Sequence, residues 1–159
     1  MTMTISEMVD VVFDISGDSV PVNYPFELWR ELVRLVPELE GESSVGVLPL
    51  RTTGSDCGML LPKRAKLVVR LPRSLATQTT PLSGQELNIG GSQLKIGKAK
   101  LREIQPYSTI HAHLVVATED EVVFVENVSA RLADLGINAS LICGRQTSLL
   151  DGDRCVQGF

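Results

Sequence analysis

The chain has two histidines, His111 and His113, separated by one residue. Side chains alternate between the two faces of a strand, so this spacing places both imidazoles on one face if residues 110–116 form a strand. Histidine changes protonation state near neutral pH, which suits it to acid–base catalysis. A zinc-type site needs further ligands, and no third ligand lies at a useful spacing. The alternative is a surface strand that carries two polar residues.

Positive charge is concentrated in the middle third of the chain. Residues 51–104 carry ten basic and three acidic side chains, whereas residues 1–50 carry two and nine, and residues 105–159 carry three and seven. Screening beyond ~8 Å makes a polyanion respond to this local charge rather than to the total. We therefore expect one nucleic-acid-binding surface built from Arg51, Lys63, Arg64, Lys66, Arg70, Arg73, Lys95, Lys98, Lys100 and Arg102. The alternative is ordinary solvated charge on the outer faces of strands.

The first part of the chain, residues 1–105, has hydrophobic periods that predict a β-α-β-β-(short α)-β order. Apolar alternation predicts strands, a broad apolar stripe behind Pro25 predicts a helix that ends between Pro37 and Gly41, and Gly90-Gly91 predicts a tight hairpin turn. The predicted strands cover 9–15, 45–51, 66–71 and the hairpin 87–96, with a loop at 52–58 and a short helix after residue 72. This order closes a ferredoxin-like sandwich.

The second part, residues 106–159, predicts a β-α-β-β order. The strands cover 110–116, 138–143 and the stretch from 154 onward, and Thr118 with Glu121 forms a capping box for a helix that ends at Gly136. The fold class is therefore α+β, a ferredoxin-like domain followed by an incomplete ferredoxin-like βαββ unit. A half-built sandwich exposes apolar surface, so we expect either further residues after Phe159 or a partner that covers it.

Composition excludes several classes of protein. No uncharged stretch reaches the ~18 residues of a membrane helix, and the first ten residues carry two acids and no basic side chain, unlike a signal peptide. The odd number of cysteines, Cys57, Cys143 and Cys155, argues against a disulfide framework and favours the reducing cytoplasm.

Several segments, in their order and spacing, resemble a known family. They are Val9-Asp10-Val11-Val12-Phe13 with Gly17, Pro21 and Val22, then 46–51, 66–72, 82–87 with the glycine hairpin, 135–137, Gly144-Arg145 and 156–159. This pattern is similar to the CRISPR-associated repeat-processing endoribonucleases, the Cas6 family of the RAMP superfamily, and most closely to the MYXAN subtype.

The resemblance implies an activity. Such proteins bind the repeat of precursor CRISPR RNA and cut it without a metal or cofactor, leaving a 2′,3′-cyclic phosphate. It implies CRISPR repeat RNA as the partner and leaves other subunits of a CRISPR complex and a homodimer open. The glycine-rich C-terminal loop of the family is not present in these 159 residues.

The resemblance also bears on individual residues. The family usually carries histidine where this chain has Leu48, and often Asp-His where it has Asn23-Tyr24, so the catalytic candidates are His111, His113 and Tyr24. The RNA-binding candidates are the basic residues on matching segments, which are Arg51, Lys63, Arg64, Lys66, Arg70 and Arg145.

Two alternatives remain open at this point. Leucine cannot move a proton, so Leu48 favours a non-catalytic subunit that holds CRISPR RNA within a larger complex. The acidic net charge of −4 and the incomplete second part favour a ferredoxin-like module that assembles with proteins and contacts no nucleic acid.

Overall fold

A computed structural model describes residues 7–55 and 58–159, and of Ser55 its backbone alone. The chain divides into two compact units, the first ending at Tyr107 and the second beginning at Ser108. None of the helices in the described part of the chain has the length and hydrophobicity needed to cross a membrane.

Unit 1 contains eight strands, one α-helix and two 3₁₀ helices among its described residues. Its elements are β1 (Met8–Ser16), β2 (Ser19–Val20), α1 (Tyr24–Leu35), β3 (Gly46–Val47), β4 (Thr53–Ser55), β5 (Gly58–Leu60), β6 (Lys66–Pro72), β7 (Glu86–Ile89) and β8 (Ser92–Glu103), with 3₁₀ helices at Pro37–Leu39 and Arg73–Leu82.

The main sheet of unit 1 has the strand order β3-β6-β1-β8-β7, with every neighbouring pair antiparallel. Within it, the order β8-β1-β6-β3 is that of a ferredoxin-like βαββαβ unit, with α1 between β1 and β3 and the longer 3₁₀ helix between β6 and β8. The predicted fold class of unit 1 is therefore confirmed, with β7 as an additional edge strand.

The core of unit 1 lies between one face of this sheet and α1. Alternate residues of β1, from Val9 to Ile15, are buried, and Leu28 and Leu32 of α1 belong to the same buried cluster. The helix ends at Leu35 and a 3₁₀ turn starts at Pro37, as the proline predicts.

The glycine hairpin forms as predicted. Gly90 and Gly91 have φ angles of 56° and 89° and connect the paired residues Ile89 and Ser92. Two positive φ angles are the requirement of a two-residue hairpin turn whose twist matches the strands.

The predicted strand 45–51 was too long. Only Gly46–Val47 forms a strand, and Leu48 N donates one further bond to Val68 O before Pro49 removes the next backbone donor. The Tyr24 hydroxyl then accepts the hydrogen bond from Leu50 N at 2.9 Å, in the buried core.

The predicted loop 52–58 was also wrong in part. Residues Thr53–Ser55 and Gly58–Leu60 pair as β4 and β5, and β5 pairs with β2 in a small second sheet. Asp56 and Cys57 lie outside the described residues.

Unit 2 contains one long helix and a hairpin among its described elements, α2 (Glu121–Asp134), β9 (Thr147–Asp151) and β10 (Arg154–Gly158). Phe124 of α2 stacks on Phe159, with ring centroids 4.7 Å apart. Gly136, at φ 73°, ends the helix in the left-handed conformation as predicted, and Ile137 N bonds back to Leu132 O.

Two predicted strands of unit 2 do not form. Residues 110–114 are not in a strand, so the expectation that a strand holds His111 and His113 on one face is wrong. Only 115–117 of this stretch pairs, through backbone bonds to residues 157–159. Residues 138–143 are likewise irregular, and β10 pairs with β9 across a turn at Gly152, whose φ is 60°.

The N-terminus of α2 differs from the predicted capping box. Asp120, rather than Thr118, is the N-cap, and its Oδ1 accepts a hydrogen bond from Val123 N at 3.1 Å. Aspartate at this position satisfies an otherwise unpaired backbone donor and also favours the positive end of the helix dipole.

Gly17 is a position at which the sheet leaves no room for a side chain. A Cβ atom there would contact the Leu94 side chain and lie 2.9 Å from Gln93 O. We expect Gly17→Ala to lower the free energy of unfolding by ~1–3 kcal/mol in urea denaturation, since overpacking displaces backbone. Gly46→Ala is the control, because no atom outside Gly46 and its two chain neighbours lies within 4 Å of the point where its Cβ would be, and its stability should not fall.

The Tyr24 hydroxyl is a structural hydrogen-bond partner in this fold. Tyr24→Phe leaves the buried Leu50 N–H without an acceptor, so we expect ~1–3 kcal/mol lower stability in the same assay. Tyr107→Phe, at a side chain that is 76% exposed, should have no effect. Equal stability of the two variants would contradict the structural role of the hydroxyl.

Candidate nucleic-acid interface on the outer sheet face

The face of the main sheet opposite α1 is here called the outer face. Its residues follow from the register, because directly paired residues on neighbouring strands point to the same side. Asp10 of β1 lies between Arg70 of β6 and Arg102 of β8, and Val12 lies between Val68 and Lys100. The alternate residues of β1, which flank Asp10 and Val12, are buried hydrophobic side chains of the core.

Asp10 is bound by two arginines from the neighbouring strands. Arg70 Nε donates to Oδ1 at 2.8 Å, Arg70 Nη2 donates to Oδ2 at 3.0 Å, and Arg102 Nη2 donates to Oδ2 at 3.0 Å. The Asp10 side chain is 2% exposed, whereas those of Arg70 and Arg102 are 41% and 52% exposed. The carboxylate therefore lies beneath the two guanidinium groups, which face solvent.

The environment of Asp10 acts on its pKa in two opposing ways. Burial raises the pKa, but the hydrogen bonds from Arg70 and Arg102 and their positive charges outweigh burial and hold the pKa below 3.8. Asp10 in turn raises the pKa of Arg70 through their hydrogen bonds. The Asp10 carboxyl group is therefore an anion at neutral pH. Arg70 and Arg102 keep N–H donors that are not bonded to Asp10.

An apolar row lies next to this charged row. Val12, Val68 and Leu48 are half-buried, and Leu48 is opposite Val68 through the bond from its backbone N. Lys100 is exposed at the end of the row on β8. The outer face therefore presents aliphatic side chains directly beside fixed guanidinium groups.

The ten basic residues of the middle third lie in several places. By register, five are on the outer face, namely Lys66, Arg70, Lys95, Lys100 and Arg102. Arg73 is not among them, because it binds Glu7 and Glu103, and Glu103 pairs with the core-facing Val9. Lys66 forms an ion pair with Asp14 on the outer face. The expectation that all ten lie on a single surface is therefore wrong. Five of them share the outer face, and three of those five are ion-paired with Asp10 or Asp14 of the acidic first third of the chain.

Three of the predicted RNA-binding residues lie beside the main sheet. Lys63 and Arg64 are exposed in the turn before β6, where Ala65 N bonds to Pro62 O, and Arg51 is exposed after Leu50. Arg145 is exposed in unit 2. Lys66 and Arg70 are the two candidates that the structure brings onto the outer face together.

The catalytic candidates differ in accessibility. His111 and His113 are exposed in an irregular segment of unit 2. Tyr24 is 6% exposed, and burial raises the pKa of its hydroxyl group. Its position fits an anchor for the backbone after Leu48 rather than a group that contacts RNA. Within the described residues, no group of three or more His, Cys, Asp and Glu side chains is placed to hold a metal ion.

Sequence reasoning missed Asp10 as a site residue. It included Lys100 and Arg102 in the expected basic surface but not among the RNA-binding candidates that the resemblance implied. The signal for the two cations was present, because Lys98, Lys100 and Arg102 alternate with other residues as a strand requires. The predicted hairpin ended at Ile96, whereas β8 continues to Glu103. A register shift near Gly97, opposite Asp14, separates the two parts of the strand.

The lowered pKa of Asp10 predicts a pH dependence of stability. An aspartate whose folded-state pKa is depressed stabilises the fold above its unfolded-state value, and this contribution disappears as the pH falls through the folded-state value. The difference in unfolding free energy between the wild type and Asp10→Asn should therefore be constant near neutral pH and shrink below pH 3.8. Urea denaturation from pH 7 to pH 3 measures it.

Asp18→Asn, at an exposed carboxylate, is the control for removing one acid. A difference between the wild type and Asp10→Asn that stays unchanged down to pH 3 would contradict the role of the Asp10 ion pairs.

Comparisons with known proteins agree with this architecture. The family model described as Cas6 Crispr matches residues 9–159. A CRISPR-associated endonuclease Cas6 from Myxococcus xanthus (strain DK1622) is 31% identical over 153 residues, which is 95% of this chain and 66% of that protein. The chain thus spans just under two thirds of the length of this curated relative.

Solved structures show the same fold at low sequence identity. A CRISPR-associated protein Cas6 superimposes with a TM-score of 0.62 at 11% identity, covering 96% of this chain and 85% of that chain. An RAMP protein that binds different RNA substrates has a TM-score of 0.64 at 12% identity, with 94% and 84% covered. A Cas6-related protein from Pyrococcus furiosus has a TM-score of 0.64 at 14% identity, with 95% and 84% covered.

These matches confirm the predicted resemblance and fold class. The family model extends over almost the whole chain, and the solved structures share its mixed α/β arrangement with an antiparallel sheet. The chain belongs to the Cas6 family of CRISPR proteins.

Proposed function

We propose that this protein binds the repeat of CRISPR RNA and cuts it, with the outer face of the main sheet as an RNA-binding surface. The observation that carries the proposal is the set of exposed cations at fixed positions on that face of a Cas6-family fold, above all Arg70 and Arg102 over the buried Asp10. Cationic side chains bind RNA through its phosphates, and release of counterions drives the association.

The cations of the outer face remain accessible to an anion even though two of them are ion-paired with Asp10. Arg70 and Arg102 are 41% and 52% exposed, and their shared carboxylate is 2% exposed. Lys100, one row away, makes no ion pair with another described residue and is exposed. A phosphate therefore meets donors first, with the neutralising acid beneath them.

Cleavage follows the chemistry that the family resemblance implies. A base takes the proton of a ribose 2′-hydroxyl, the 2′ oxygen bonds to the adjacent phosphorus, and the bond from phosphorus to the 5′ oxygen breaks. The leaving oxygen receives a proton, so the products are a 2′,3′-cyclic phosphate and a 5′-hydroxyl. His111 and His113, both exposed, are the candidate acid and base.

A second candidate function is repeat-RNA binding without cleavage. It is favoured by Leu48, which stands where the family usually has histidine and is half-buried beside Val68. A leucine there offers contact surface and no proton transfer. In this case the protein acts as an RNA-holding subunit among other CRISPR subunits.

The proposal extends to the setting of the protein. The chain forms two ferredoxin-like domains, residues 1–105 and residues 106–159, and the second domain is incomplete. The protein works in the cytoplasm, where a second copy of the chain and other CRISPR subunits are available as partners. CRISPR repeat RNA is the substrate, and neither metal nor cofactor takes part in the reaction.

The cleavage assay uses the cognate repeat hairpin in EDTA at pH 7–8. We expect one cut that leaves a 2′,3′-cyclic phosphate, and we expect His111→Ala with His113→Ala to lower the single-turnover rate by at least ~100-fold, as loss of a general acid or base does. Affinity for the repeat, measured by filter binding at ~50 mM salt, should change little. Gel mapping of end-labelled RNA measures the position of the cut and the rate of cleavage.

The variants separate the two candidate functions. An uncut repeat that binds tightly, and is cut by Leu48→His, would favour the non-catalytic function. Cleavage that persists unchanged in the double histidine variant would remove both residues as acid and base. No binding at low salt would reject RNA recognition altogether.

A further inference from the structure

We propose that Arg70, Asp10 and Arg102 form a clamp for one phosphodiester of an unpaired RNA segment, whose adjacent base lies on the apolar row of Val12, Val68 and Leu48. The inference rests on the proposed RNA binding and names the part of the RNA that the outer face takes. Asp10 is a positioning residue in this clamp, and the two arginines contact the phosphate.

The clamp is fixed before RNA arrives. Asp10 accepts two bonds from Arg70, which sets the plane of that guanidinium, and one bond from Arg102. A long arginine side chain normally loses rotamer freedom when it binds, and the shared carboxylate has already removed part of that freedom. Five N–H donors per guanidinium leave several of them for a phosphate.

The charged row of Arg70, Asp10 and Arg102 is open at its β3 end. Gly46 is the register partner of Arg70, and a Cβ atom added to Gly46 would have no other atom within 4 Å. Position 46 therefore places no side chain over Arg70, which is 41% exposed, and a ribose–phosphate backbone has access to it. The same space admits a Cβ atom at position 46 without a clash, so a substitution there can be tested.

The apolar row favours an unpaired nucleotide over a duplex. Cross-strand rows on one sheet face are about 7 Å apart, two residues along a strand, which places the apolar row next to a bound phosphate. Val12, Val68 and Leu48 expose part of their surface. A duplex keeps the faces of its bases stacked, whereas an unpaired base presents a face to such a surface.

The central test compares two aspartates of β1 that are both on the outer face and both bound to cations. Asp10→Asn and Asp14→Asn each remove one negative charge, so simple electrostatic attraction predicts tighter RNA binding for both. The clamp predicts opposite signs, because an asparagine amide at position 10 places donors against the arginines and releases them. Asp14 binds Lys66 and no part of the clamp.

The probes are a labelled eight-nucleotide oligouridine and a blunt RNA duplex, measured by fluorescence anisotropy, with the repeat hairpin measured alongside. We expect Asp10→Asn, Arg70→Lys and Arg102→Lys each to weaken oligouridine binding about tenfold, roughly one charge-assisted hydrogen bond. Asp14→Asn should bind as tightly as the wild type or more tightly. Duplex affinity should change by less than about threefold.

Further variants keep the test decisive if Asp10→Asn does not fold. Gly46→Glu places a carboxylate beside Arg70 and should weaken oligouridine binding, whereas Gln78→Glu, an equal charge change on an exposed residue of the 3₁₀ helix, should not.

The salt dependence of binding tests the contact between Arg102 and the phosphate. Arg102→Ala should lower the slope of log affinity against log salt by ~0.7, the value for one phosphate on a single strand. Arg102→Lys keeps the charge and should keep the slope.

The outcomes distinguish the clamp from the proposed function. If Asp10→Asn and Asp14→Asn both tighten binding, or Arg102→Lys binds oligouridine like the wild type, the clamp is wrong while RNA binding stands. Equal losses on duplex and oligouridine would overturn the assignment to an unpaired segment. A wild-type protein that binds neither the repeat hairpin nor oligouridine would reject both proposals.

Discussion

The ion-paired carboxylate of Asp10 joins the three central strands of the main sheet. A side chain that is 2% exposed cannot remain charged without partners, because desolvation of an unpaired charge is very costly. Its partners come from β6 on one side and β8 on the other, so the ion pairs form only when both strands are in the observed register. The geometry of the cations on the outer face is therefore a consequence of correct strand pairing.

The same register builds the core and the outer face at once. Because side chains alternate along β1, the residues that flank Asp10 and Val12 enter the core while those two face outward. A shift by one residue would move the aspartate into the apolar core and the valines to solvent. The hydrophobic core thus fixes where the charges lie, and substitutions that loosen pairing of β1 with β8 will disturb the outer face as well.

Local patterns in the sequence predicted much of the fold of unit 1 and little of the site. Apolar alternation predicted β1 and β6, and the paired glycines predicted the hairpin. Asp10 was missed as a site residue because its partners are 60 and 92 residues away, and no local pattern shows which strands become neighbours. In unit 2, residues 110–116 and 138–143 look like strands, yet β9 is the strand that pairs with β10. Strand propensity expresses a fit to a pleated, half-buried surface, so a stretch without a pairing partner does not become a strand.

The proposed binding and the proposed cleavage would depend on different parts of this chain. The outer face takes its fixed charges from β1, β6 and β8, and those ion pairs involve no side chain from the segment around Leu48. Replacing a histidine by leucine at that position removes a proton-transfer group and adds apolar surface beside Val68. Leucine at this position therefore removes a proton-transfer group and leaves the charged row intact, so the proposed RNA-binding face does not depend on whether other residues have taken over proton transfer.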